Sequence, residues 1–149
     1  MKNLFFIILL TGFGFVSAAA QTVQSKQTTA LPRHLTSSGA YSEIALRLAE
    51  LRAEMESMRD DYTDQHPKVL ENKWTQASLE EDLKSLVQIR ETDAGRLTLS
   101  LGKMVVRRAE LFAEMKAVEL QYGEQHQNTK RARKRLEAFS AVLDGVLRQ

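Results

Sequence analysis

From Tyr41 onward the apolar residues recur at alternating intervals of three and four. Tyr41, Ile44, Leu48, Leu51, Met55, Met58 and Tyr62 mark a first helix with one buried seam, the a/d pattern of a coiled coil. The pattern breaks at Thr63–His66, and Pro67 suits the first position of a second helix, where its missing N–H costs nothing. That helix carries Val69, Asn72, Gln76, Leu79, Leu83 and Leu86. A short connection at 91–95 follows, with Thr92 and Asp93 as candidate N-caps. The third helix carries Leu97, Leu101, Met104, Arg108, Leu111, Met115, Val118 and Tyr122, and Gly123 can end it in a left-handed conformation. The fourth carries Thr129, Ala132, Leu136, Phe139, Leu143 and Val146. Leu97 to Leu101 also alternates like a strand, and Gly102 costs a helix about 1 kcal/mol relative to alanine. A strand there has no partner in the sequence, so helix is the reading.

Paired antiparallel, the first two seams close on each other without a gap, and so do the last two. Two helical hairpins result, at 41–90 and 96–149, each about 35 Å long at 1.5 Å per residue. They are copies. Arg47, Ala49, Glu50, Leu51, Ala53, Glu54, Met55, Tyr62, Gln65 and His66 recur 60 residues on as Arg107, Ala109, Glu110, Leu111, Ala113, Glu114, Met115, Tyr122, Gln125 and His126. Weaker stripes at Leu70, Trp74 and Ala77, and at Val105, Ala109 and Phe112, give the hairpins a way to meet. Folded together, Trp74 falls opposite Phe112. The expected fold is therefore all-α: an up-down-up-down four-helix bundle, or an elongated oligomeric coiled coil if those stripes face a second copy.

The segment before Tyr41 has another character. Lys2 followed by the apolar run Leu4–Val16 and the small residues Ser17-Ala18-Ala19-Ala20 has the layout of a signal peptide at 1–20, cleaved near Ala20-Gln21. The run falls short of the roughly 20 residues a membrane span needs. Residues 21–40, rich in Gln, Thr and Ser, show no period and suggest a flexible tether in which His34 has no role. A periplasmic or secreted protein with no retained membrane span is expected. Cysteine is absent, so nothing is stapled in that oxidising compartment. The net charge of +2 argues against polyanion binding by the chain as a whole.

Candidate chemistry is sparse. Tyr62, Gln65, His66 and Pro67 mark one hairpin turn, and Tyr122, Gly123, Gln125 and His126 the other. His66 and His126 are weak candidates for a metal site at a shared tip, with Asp64 or Glu124 adding oxygen, because neither histidine sits in a ligand spacing such as HxxxH. Lys130, Arg131, Arg133, Lys134 and Arg135 form the one charge run. It is a candidate surface for an anionic envelope polymer, or a complement to the acidic outer face of the first helix (Glu50, Glu54, Glu56, Asp60, Asp61). Nothing aromatic interleaves with it, which argues against nucleic acid. Trp74 and Phe112 are the aromatic candidates for an interaction surface. Arg108 takes the seam position that Leu48 holds in the first copy, while Asn72 and Gln76 fix register. Met55, Met58, Met104 and Met115 fit a core at this spacing better than an adaptable client surface. Nucleophile triads, phosphate loops and zinc spacings are missing, so the expectation is no enzyme and no cofactor.

Leu51 and Tyr62-Thr63-Asp64-Gln65-His66-Pro67-Lys68-Val69, followed by Leu79, Leu83 and Leu86, carry a resemblance. This stretch resembles the periplasmic coiled-coil hairpin of polysaccharide chain-length determinant (Wzz-type) and exopolysaccharide export proteins. It is confined to the hairpin, and the second copy has Gln127 where the motif has proline. It implies a helical spacer in envelope polysaccharide assembly, working through protein partners or self-association. The size and layout are also similar to small periplasmic helical chaperones of the Spy/CpxP-like or Skp-like kind, without the LTxxQ-type signature of the former.

Overall fold

The computed structural model describes residues 31–148. The expected signal peptide and the first half of the tether lie outside them. Among the described residues there is no strand. The elements are α1 (Arg33–Thr36), α2 (Gly39–Met58), α3 (Pro67–Val87), a 3₁₀ helix (Glu91–Arg96), α4 (Leu99–Tyr122) and α5 (Gln127–Arg148). None of the helices is long and apolar enough to cross a membrane.

Each long helix begins where a side chain can satisfy its free N–H groups. Ser38 accepts from the Tyr41 N–H at the start of α2, and Thr98 from the Leu101 N–H at the start of α4. Thr98 thus replaces the expected caps Thr92 and Asp93, which fall inside the 3₁₀ helix, where Asp93 pairs with Arg90 instead. The strand-like stretch at Leu97–Leu101 resolves the same way, with α4 starting at Leu99.

The four long helices alternate in direction, as the two hairpins require, but they do not form a square. α4 is the hub: it packs on α2, α3 and α5, while α2 also packs on α3. The reason lies at two glycines. A Cβ on Gly102 would stand 2.8 Å from the backbone Cα and O of Ala40, and one on Gly39 would stand 2.7 Å from the backbone nitrogen of Leu99. Nothing larger than hydrogen fits at either point, so α2 and α4 touch backbone to backbone. The Ala40 N–H donates to the Leu97 carbonyl across the contact (3.2 Å). The parallel pair α2 and α4, diagonal in a square bundle, are here direct neighbours. The expected neighbours, the first and fourth long helices α2 and α5, consequently do not form a packed pair.

The tether expected at 21–40 ends early. Leu35 is fully buried in the core, α2 already begins at Gly39, and His34 is not idle: its Nε2 bonds to the Ile89 carbonyl (2.9 Å). Arg96 closes the same end by donating to the Leu147 carbonyl of α5. This end, the base of the bundle, holds the continuous core of Leu35, Ile44, Leu48, Leu51, Leu79, Leu86, Leu97, Leu101, Val105 and Leu143. Met115 is buried and Met104 packs against that core, while Met55 and Met58 are half-buried.

The glycines differ sharply in what they allow. Gly102→Ala should lower the denaturation midpoint despite its gain in helix propensity, because the backbone of Ala40 must move. Gly145→Ala meets no atom within 4 Å and should raise stability by about 0.5–1 kcal/mol. Urea unfolding of the two variants measures both signs.

Candidate functional site

The two copied turns lie at the same end of the bundle, the tip, and their histidines have a structural use. The His66 ring lies 4.1 Å from that of Tyr62, centroid to centroid, and its Nδ1 accepts from the Lys68 N–H at 3.3 Å. In the second copy the His126 ring stacks on Tyr122 at 4.8 Å, and Nδ1 accepts from the Asn128 N–H at 3.2 Å. The recurring Tyr-x-x-x-His is therefore a cap whose ring is braced by the tyrosine four residues earlier. Pro67 holds the first position of α3 as expected, and Gln127 does that duty in α5. Gly123 has φ +82° and ψ 162°, a positive-φ region outside the left-handed helical basin, and its carbonyl accepts from the buried Thr129 hydroxyl (2.8 Å). Gln65 and Gln125 are exposed.

The oxygen donors suggested for a metal are not gathered around the histidines. Asp64 is bonded to Lys73 (2.7 Å), which holds its carboxyl below the ordinary value. Among the described residues no group of three or more His, Asp or Glu side chains could hold a metal ion.

A polar cleft of about 520 Å³, walled by α2, α3 and α4, lies between the apolar base and the tip. Here the parallel packing of α2 and α4 sets the duplicated sequences side by side. Arg47 reaches Glu50 (3.1 Å) and Glu54 (3.5 Å) on its own helix and Glu110 (3.8 Å) on the other copy. Arg107 repeats the pattern with Glu110 (2.9 Å) and Glu114 (3.2 Å). Asn72 closes the floor: its amide donates to the Leu51 carbonyl (3.0 Å) and to Glu54 (3.1 Å), and its oxygen accepts from Gln76 (2.6 Å). As residues that fix register, Asn72 and Gln76 act as a pair. The Arg–Glu ladder does not stand out in the sequence because such residues suit any solvated helix face. The signal that could have found it is the repeat itself, which retains Arg, Glu and Glu at the same offsets.

The seam arginine has its partner in α3. Arg108 forms an ion pair with Asp82, a residue that is 6 % exposed. Burial pulls the guanidinium below its ordinary pKa, with Asp144 of α5 acting in the opposite sense. Asp82 and Thr75 take buried places on α3, and Gln76 and Leu83 of the expected seam are only half-buried, because α3 must face α4 as well as α2.

The basic run on α5 does not meet the acidic face of α2. Arg133 pairs instead with Glu119 (3.3 Å) and Arg135 with Glu114 (3.2 Å), both on α4. Lys130, Arg131 and Lys134 stay exposed. Trp74 and Phe112 are each half-buried, and Phe112 lines a groove of about 360 Å³ between α3 and α5 with Ala77, Arg108 and Leu136. With this geometry in view, the chain matches no protein-family profile, no curated protein and no solved structure.

Three outcomes follow from these contacts. His66→Ala and His126→Ala should each lose about 1 kcal/mol of stability, as a lost cap does, and equally with or without zinc; asparagine at either site should retain most of it. Asp82→Ala should cost up to about 3 kcal/mol by stranding Arg108, whereas Asp82→Leu with Arg108→Leu should return close to the parent in the same unfolding assay. Glu119 gives a pH signature. Lys116, then Arg133, holds its carboxyl below the ordinary 4.5 against the opposing effect of burial. Its contribution is full above that value and vanishes as pH falls through the lowered one, so Glu119→Gln should flatten the acid limb of the stability profile.

Proposed function

We propose that this protein is a non-enzymatic helical scaffold of the cell envelope, acting after export across the inner membrane. The observation that carries the reading is how the copied polar residues are engaged. The histidines cap helices, the tyrosines brace them, and the Arg–Glu ladder joins one copy to the other. That leaves outward helical faces as the material for function, and such faces recognise other proteins. A tie to polysaccharide export draws on the Tyr62–Val69 turn. The second copy makes the same histidine cap with Gln127 in the place of proline.

Crosslinking in cells followed by recovery of the tagged protein from the envelope tests the proposal. Components of a polysaccharide export assembly are expected. Recovery of outer-membrane-protein precursors, together with near-stoichiometric suppression of client aggregation in vitro, would overturn it in favour of a chaperone.

A further inference from the structure

The outward faces of the helices are not alike. On α3 the outward face is mostly charged, with Glu71, Lys73, Glu80, Glu81 and Lys84 exposed and Ala77 the apolar residue among them. On α2 the exposed stripe opposite the buried seam reads Leu46, Ala49, Ala53, Glu56 and then Asp60 just past the helix end, at three-four spacing. On α5 the stripe opposite Leu136 and Leu143 reads Gln127, Arg131, Lys134, Ala138, Ala141 and Gly145, at the same spacing. Among the described residues nothing packs on either stripe. Leu46 is 57 % exposed, and Val142, beside the α5 stripe, 60 %.

The two stripes complement each other in order as well as in kind. The α2 stripe is apolar toward the base and acidic toward the tip, where Glu56 also pairs with the exposed Arg59 of its own chain (3.3 Å). α5 runs the other way, basic toward the tip and apolar toward the base. Laid antiparallel, Glu56 falls opposite Arg131, Ala49 opposite Ala138 and Leu46 opposite Ala141, while Asp60 meets Gln127 and Ala53 meets Lys134, so Glu56–Arg131 is the directly facing charge pair. The heights agree as well. Within one chain Arg47 reaches Glu110 and Arg133 reaches Glu119, which sets Glu56 level with the basic end of α5. Two copies standing side by side and pointing the same way therefore bring the matched residues together without any sliding. Alanines along both stripes let the helices approach at the near end of the usual 8–10 Å interaxial range.

We infer that the protein associates with itself through the outer face of α2 in one copy and the outer face of α5 in the next. The contact joins unlike surfaces, so association grows into a row or closes into a ring, of which a two-fold pair is the smallest. This deepens the scaffold reading, and it can fail separately: a strict monomer that still captures export components leaves that reading standing.

Charge exchange tests the inference. The purified protein should show an average mass that rises with concentration in sedimentation velocity, and falls at high salt, where surface charges are screened. Lys130→Glu with Arg131→Glu and Lys134→Glu should sediment as a monomer, as should Glu56→Lys with Asp60→Lys and Asp61→Lys. Circular dichroism must show both variants folded, which is expected because these side chains are exposed. An equimolar mixture should associate again, since each reversed face now complements the other variant. A parent protein that is monomeric at all concentrations, association that survives either reversal, or a mixture that stays monomeric would each overturn the inference. The salt series reads the same charge pairs without any substitution.

Discussion

The contact between α2 and α4 decides the arrangement of everything else. Two helices joined through an intervening antiparallel one would ordinarily sit across a bundle from each other. Gly39 and Gly102 remove the side chains that would hold them apart, and Ala40 lies directly against Gly102. Once that contact forms, α3 must lie against both of them, and α5 is left with α4 as its principal support. The helix-propensity cost of Gly102, about 1 kcal/mol, is offset by the packing that it alone permits.

The same contact gives the duplication its meaning. Copies arranged in parallel present the same residues at the same height, so a charge pattern within one helix extends across to the other. Arg47 bridging to Glu110 is that extension. The copies also diverge where their surroundings differ. Leu48 lies in the apolar base, whereas Arg108, sixty residues later, meets Asp82. A buried ion pair of this kind adds little net stability over apolar residues, yet either partner alone would be costly to bury. It therefore gives α3 one favoured register along α4.

Much of this architecture was legible in the sequence. The three-four spacing gave the long helices within a few residues, and the antiparallel pairing of the second hairpin agrees with the Arg133–Glu119 and Arg135–Glu114 pairs, whereas in the first Asn72 bonds to Leu51 and Glu54, nearer the base than the Met58 that the seams set opposite it. The lateral arrangement was not legible. A heptad seam reports that a helix has a buried side and is silent on which helix covers it, so the up-down-up-down topology sets α2 beside α5 although Gly39 and Gly102 direct otherwise. At 91–95 Thr92 and Asp93 are good caps in isolation, but the helix starts only where the 3₁₀ turn releases it at Thr98. At the tip the histidines were visible but their use was not, since capping by imidazole leaves no spacing motif.

α5 has few buried anchors for its length. Of its 22 residues only Thr129 and Leu143 are fully enclosed. Local opening in a folded protein follows such differences, with the least enclosed cooperative unit opening first. α5 is thus the segment whose amide protons should exchange with solvent ahead of the rest, peeling from α4 while the other three helices hold their shape.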